Sequence, residues 1–285
     1  MKILVVDASP LIYATYNSVG HLKKSTGEFT GLRFGFIRSI NAWRKQTQVD
    51  RVAICYDMRG PVLKAADVPT YKSNRKMTAE KIDMYSQVPD LMDLLKNTSW
   101  WQLRQTGFEA DDVIAGLCRI QERKGNTCFI VSPDQDLWQL VDDDIFIYQP
   151  KNAKKKMEAQ YLGSKEVQEK LGYAPVWHLA MKALYGDPSD NVPGSLMRKG
   201  TTPKQLAMIF EASMNTASVP TFSQLKGAGI SCDEAQYELN VKVLQLYTPD
   251  SFEALKGTGD AAALRRDFID LEFKSLIPKI DEYVV

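Results

Sequence analysis

Nine carboxylates are distinguished by where they fall in the chain: Asp7, Asp57, Glu109, Asp111, Asp112, Asp134, Asp136, Asp187 and Asp190. Asp7 follows the apolar run Ile3-Leu4-Val5-Val6, and Asp57 follows Val52-Ala53-Ile54-Cys55-Tyr56. Asp134 and Asp136 follow Cys128-Phe129-Ile130-Val131 and Ser132-Pro133. Aspartate is depleted in strands and costly to bury without a partner, so three strand ends that carry it call for a cation. Glu109 and Asp111-Asp112 precede Val113, Ile114 and Leu117, which recur at helical spacing. That spacing puts Glu109 just ahead of a helix and the two aspartates in its first turn, where the helix terminus favours negative charge. Asp187 and Asp190 share the turn Gly186-Asp187-Pro188-Ser189-Asp190-Asn191. Oxygen ligands of this hardness select Mg2+ or Mn2+ over zinc, and nine of them suggest two ions. Each has a simpler reading alone, as a cap or turn residue. Asp142-Asp143-Asp144 fits that simpler reading, as a solvated connection. The nine together exceed what caps require.

Other chemistries find little support. With only His21 and His178, a three-histidine zinc site is excluded. The four cysteines form no C-x-x-C pair and sit among apolar neighbours, as buried thiols of a reducing compartment do. No Gly-Lys dipeptide exists to make a P-loop, and Gly257-Thr258-Gly259 with Ala262 is expected to follow a helical stretch rather than the strand a dinucleotide site needs.

The elements that must position these groups alternate. Strands end at the carboxylates, and helical patterns run from Gly31 to Arg44, Val88 to Lys96 and Ala110 to Arg123. This is the grammar of a parallel α/β sheet, whose ligand crevice lies beyond the carboxyl ends of the strands. The 285 residues, 44% hydrophobic and 25% charged, suffice for a soluble protein of one large or two smaller domains. No secretory or membrane-spanning run is seen, so a cytoplasmic location is expected. The net charge of +1 leaves electrostatic partners to local clustering. Lys64, Lys72, Arg75, Lys76 and Lys81 form one basic stretch, read as an excursion over the site, and Lys151 to Lys156 form another, read first as a solvated hairpin.

With these residues in hand, the chain resembles the 5' nuclease family: the flap endonucleases, the 5' nuclease domain of bacterial DNA polymerase I, and the stand-alone 5'-3' exonucleases of bacteria and tailed phages. The likeness runs from Met1 to about Phe210. It rests on Val6-Asp7, Thr30-Gly31-Leu32-Arg33-Phe34-Gly35-Phe36, Tyr71-Lys72-Ser73-Asn74-Arg75, Glu109-Ala110-Asp111-Asp112, Asp134-Gln135-Asp136-Leu137-Trp138-Gln139-Leu140 and Gly186-Asp187-Pro188-Ser189-Asp190-Asn191-Val192-Pro193-Gly194. The resemblance implies a PIN-like parallel sheet flanked by helices over residues 1–175, with a basic helical arch at about 60–86. A helical DNA-binding lobe with a helix-three-turn-helix motif would occupy 176–285. It implies that Asp7, Asp57, Glu109 and Asp111 serve a first metal and Asp134, Asp136 and Asp190 a second, with Asp111 between the ions and Asp112 and Asp187 outside them. Lys72 and Arg75 would act on the scissile phosphate and the 5' strand, beside Tyr71.

The chain also departs from the family pattern. Tyr13-Ala14-Thr15 stands where relatives carry an arginine in the first helix. After Gly194 the turn is longer, and Thr202 stands at the position of the second glycine, which leaves the family's K+ site open. Arg198, Lys199 and Lys204 still offer phosphate contacts to duplex DNA. The resulting expectation is a monomeric, Mg2+- or Mn2+-dependent structure-specific nuclease, a 5'-3' exonuclease and flap endonuclease of replication or repair. It would work in a bacterium or phage-infected cell, with a separate DNA polymerase as a possible partner and no membrane. The alternatives are a PIN-type ribonuclease, which needs fewer carboxylates and no second lobe, a noncatalytic junction-binding protein, and a metal-dependent phosphatase on small substrates, which would not need the arch.

Overall fold

A computed structural model describes residues 1–58, 63–64, 72, 77–151, 157–197, 200–213 and 218–285. Tyr71, Arg75, Arg198 and Lys199 lie outside these residues, as do most of the expected arch and residues 152–156 of the second basic stretch. Packing divides the chain into two compact units. The first comprises Met1–Arg59, Lys76–Pro133 and Thr248–Val285, and the second Gly60–Arg75 and Asp134–Tyr247.

In the first unit, β1 (Lys2–Asp7), β2 (Arg51–Cys55), β3 (Trp101–Arg104) and β4 (Thr127–Val131) are parallel and lie in the order β4-β1-β2-β3. The apolar runs Ile3 to Val6, Val52 to Cys55 and Cys128 to Val131 are buried, because helices cover a parallel sheet and every side chain of its central strands faces a packed layer. The chain proceeds from β1 outward to β3, then crosses back to lay β4 on the other side of β1. That reversal makes a topological switch point at the carboxyl ends of β1 and β4. The register there pairs Val6 with Val131, and Asp7 pairs with Cys55 on β2.

The last segment corrects two expectations. A strand, Glu253–Lys256, pairs antiparallel with β3, Trp101 opposite Lys256. Gly257-Thr258-Gly259 therefore follows a strand and not a helix. Its backbone amides are spent on the carbonyls of Trp100, Lys96 and Thr98, so the glycines serve close packing rather than a phosphate cradle. The helix Ala261–Asp270 follows, and Phe268 packs on Phe273 and Tyr283, with Tyr283 also against Trp100. This apolar exchange draws residues 248–285 into the sheet unit, whereas the resemblance implies a helical lobe over all of 176–285.

The second unit holds an antiparallel pair, Ile145–Gln149 with Gln160–Leu162, which flanks the basic stretch, and Lys151 there pairs with Glu158. The helices Ser164–Leu171, His178–Tyr185, Pro203–Ser213, Phe222–Gly227 and Glu234–Leu244 follow. Trp177, Met181, Leu184, Leu206, Phe210, Leu225 and Tyr237 form their common core. Thr202 caps the helix that follows it. Its amide donates to Gln205 Oε1 at 2.8 Å, and the Gln205 amide donates to its hydroxyl at 3.3 Å, ahead of Pro203 in the first turn. Among the described residues of this stretch, a positive φ falls on Gly200, at 88°. Among the described residues, no helix is long and apolar enough to cross a membrane.

Gly257 is a sharp packing constraint in the first unit, since a Cβ there would stand 1.9 Å from the Thr98 carbonyl oxygen. Gly257→Ala should lower the unfolding free energy by about 2 kcal/mol in a urea melt. An unchanged midpoint would show that the segment yields at little cost.

Two candidate metal centres

The first centre is assembled at the carboxyl edge of the first unit's sheet. Asp7 ends β1 and is 8% exposed, and its Oδ2 accepts a hydrogen bond from the Ser132 hydroxyl, just past β4, at 2.8 Å. The switch point thus joins the two residues that follow Val6 and Val131. Asp57, beyond β2, accepts from the Ser9 hydroxyl at 2.5 Å and from the Ala110 amide at 2.9 Å. The second bond anchors the N-terminus of the helix Ala110–Glu122 at the sheet edge. Glu109 is that helix's N-cap residue, and Asp112, 1% exposed, accepts the Glu109 amide at 3.1 Å. The Asp111 carboxylate accepts the Asp112 amide at 2.8 Å.

Glu109, Asp111 and Asp112 each offer an oxygen, and these oxygens lie within 4.8 Å of one another. Ligand oxygens so spaced can share one ion at the roughly 2.0–2.6 Å distances of Mg2+ or Ca2+, so the donor set fits a hard divalent cation.

The second centre lies wholly in the second unit. Asp136, Asp187 and Asp190 likewise offer oxygens within 4.8 Å of one another. Asp134 caps the turn Gln135–Leu140 and accepts the Asp136 amide at 2.9 Å. Asp187, opposite Val192 in the short hairpin Gly186–Asp187 and Val192–Pro193, accepts the Ser189 amide at 2.9 Å and the Ser189 hydroxyl at 2.6 Å. Asn191, with φ at 60°, closes the hairpin in the left-handed conformation that asparagine tolerates better than most residues. Lys72 Nζ stands 3.9 Å from Asp190 Oδ2, and the Lys72 amide donates to the Asp190 carbonyl at 3.3 Å.

Two residues here escape the motif reading. Lys182 donates to both Asp136 and Asp187. His178, 4% exposed, exchanges a hydrogen bond with the Tyr173 hydroxyl through Nδ1 at 3.0 Å. Both line a cavity of about 320 Å3 with Asp134, Asp136, Asp187 and Asp190. Their signal in the sequence is faint: two polar residues four apart, hence on one face, in the otherwise apolar helix His178–Tyr185.

The electrostatics follow the burial. Burial pushes the Asp136 carboxyl up, and the neighbouring Asp134 and Asp187 add to that, against the pull of Lys182. Asp187 is also pushed up by burial, but hydrogen bonds from Lys182 and Ser189 outweigh it and hold the group low. Lys182 loses solvation and still ends above its ordinary value because of Asp136 and Asp187. Burial, with the Lys182 charge, pulls His178 down to about 4, so its imidazole is neutral at neutral pH.

The structure therefore gathers Glu109, Asp111 and Asp112 in one cluster, with Asp57 bonded at the same helix N-terminus, and Asp136, Asp187 and Asp190 in another, with Lys72 beside it. Lys204 is exposed in the first turn of the helix Pro203–Ser213.

The sequence profile of the 5'-3' exonuclease N-terminal resolvase-like domain matches residues 2–172. The thermostable DNA polymerase I of Thermus thermophilus is 32% identical over 194 residues, which cover 68% of this chain and 22% of that one. The 5'-3' exonuclease of Buchnera aphidicola subsp. Acyrthosiphon pisum is 31% identical over 193 residues, 67% of this chain and 65% of its own. The chain thus spans less than two thirds of the length of these relatives. The fold is also that of the bacteriophage T5 flap endonuclease, solved as a pseudo-enzyme-product complex with DNA and metal ions. That likeness has a TM-score of 0.62 at 20% identity, over 99% of this chain and 100% of that one. On the profile and these identities, the chain belongs to the 5'-3' exonuclease family.

Proposed function

We propose that this protein is a divalent-metal-dependent, structure-specific 5' nuclease that hydrolyses DNA phosphodiesters, as a 5'-3' exonuclease and as a flap endonuclease. The observation that carries the reading is the pair of three-carboxylate clusters, Glu109-Asp111-Asp112 and Asp136-Asp187-Asp190, each compact enough for a single hard ion. In family terms, Asp7, Asp57, Glu109 and Asp111 hold a first ion, directly or through water, and Asp134, Asp136 and Asp190 hold a second. Asp112 and Asp187 act mainly through the amides and side chains they fix. Mg2+ or Mn2+ would supply an activated water and neutralise charge on the phosphate and the leaving 3' oxygen.

The chain's own residues do the rest. Ser132 and Ser9 orient Asp7 and Asp57, and the Ala110 amide holds Asp57 at the helix N-terminus. Lys72 and Arg75, with Tyr71, address the scissile phosphate and the 5' strand. Arg198, Lys199 and Lys204 anchor the duplex as part of a helix-three-turn-helix lobe. The substrate is DNA with 5' ends, flaps or single-strand to duplex junctions, the working form is a monomer in the cytoplasm, and a separate polymerase supplies the nicked or flapped strand.

A gel assay with labelled flap DNA, single-stranded RNA and a small phosphate ester, with and without Mg2+, separates this reading from its competitors. Flap DNA should be cut only with the metal, leaving 5'-phosphorylated products. Preferential cleavage of RNA would favour a PIN-type ribonuclease, and binding without cleavage would favour a junction-binding protein.

Two variants test the division of labour. Asp111→Asn should reduce cleavage by a factor of roughly 10² to 10³, as losing a transition-state electrostatic group does. It should leave DNA binding equal or tighter, because a negative charge facing the DNA is removed. Near-normal turnover in Mg2+ would refute the role given to Asp111. Lys72→Ala should lower the single-turnover rate by about a hundredfold while changing the dissociation constant by only a few fold, since a cation at the scissile phosphate acts as charge builds in the transition state. Equal losses in rate and binding would make Lys72 a general phosphate contact.

A further inference from the structure

Lys182 is the one cation that bridges two carboxylates of the second cluster among the ion pairs of the described residues, and no motif accounts for it. It projects from the helix His178–Tyr185, its side chain is 17% exposed, and it lines the cavity beside Asp136 and Asp187. Its ammonium donates to Asp136 Oδ1 and to Asp187 Oδ2. An ion held by Asp136 and Asp190 would fill the same space beside Asp187 that the ammonium occupies. Two cations a few ångströms apart in a half-buried site also repel strongly. Asp190, the third member, has its own neighbour in Lys72, so Lys182 is the charge set between the other two.

We propose that Lys182 is the resident cation of the second centre. It holds Asp136 and Asp187 together in the ion-free chain, and a divalent ion occupies that centre by displacing its ammonium. The proposal rests on the reading of Asp136, Asp187 and Asp190 as a metal centre. It deepens that reading by making the second ion the weaker one, taken up against an internal competitor on a flexible four-carbon stem. Once displaced, the ammonium stays tethered beside the cavity as a point charge suited to an anionic oxygen.

Calorimetric titration of the intact protein with MnCl2 tests this without reference to cleavage. D190N should remove one bound Mn2+, and a variant that binds as many ions as the wild type would refute the second centre itself. With that ion identified, K182M should bind it about tenfold more tightly, because binding no longer competes with the ammonium. K182Q, which keeps a polar amide should the methionine variant fail to fold, should shift the same way. K182R retains the charge and should stay within about threefold of the wild type. Unchanged or weakened binding in K182M and K182Q, with the D190N-sensitive ion still present, would overturn the displacement and leave the second centre standing. In EDTA the lysine-free variants should melt below the wild type, with Mn2+ narrowing the gap. Equal melting in EDTA would overturn the holding role.

Discussion

Like charges kept close together are the constraint on which this architecture depends. Two carboxylates about 4.8 Å apart repel by roughly 3 kcal/mol at an effective dielectric constant near 20, and each cluster contains three such pairs. Hydrogen-bond donors offset this before any ion arrives. In the first unit they include hydroxyls and amides, from Ser132, Ser9, Ala110, Glu109 and Asp112. In the second they include the ammonium of Lys182 and the amide and hydroxyl of Ser189. The donors are in place only because strand register and helix start agree. One residue of slip between β1 and β4 would separate Ser132 from Asp7.

The donors named for the two clusters differ in kind. A helix N-terminus and hydroxyls provide partial positive charge that persists when an ion binds, so the first cluster is prepared for a cation and remains so afterwards. A lysine provides a full charge that must move. Within the second cluster, burial pushes both Asp136 and Asp187 up, and only Asp187 gains enough hydrogen bonds to be held low.

Much of the site was legible in the sequence because its residues sit at places where local rules are strict. An apolar run that stops at aspartate marks a strand end, and Glu109-Ala110-Asp111-Asp112 before a helical stripe marks a helix start. Both patterns are local. Trp101–Arg104 was missed because four residues with glutamine and arginine among them make no buried run, and its strand character comes from pairing with β2. Glu253–Lys256, exposed along its length, is a strand only through its partner β3. Thr202, at the position of the family's second glycine, also opens a Thr-Pro-x-Gln cap that is visible in the residues themselves. Lys182 carries only a faint signal, because nothing in a helical periodicity says that a lysine will turn inward toward acids contributed by other segments.

The pairing of β3 with Glu253–Lys256 joins residues about 150 positions apart, Trp101 opposite Lys256, and the whole of Asp134–Tyr247 is translated between them. During synthesis, β3 emerges with one edge unpaired and must wait while Asp134–Tyr247, the later part of the second unit, is made. An open edge of this kind can template pairing with another chain, and long-range closure is the slow part of folding. The second unit's later segment has no such wait and can begin folding first. The order of the gene thus obliges the ribosome to finish the inner unit before the sheet that surrounds it in sequence can be sealed.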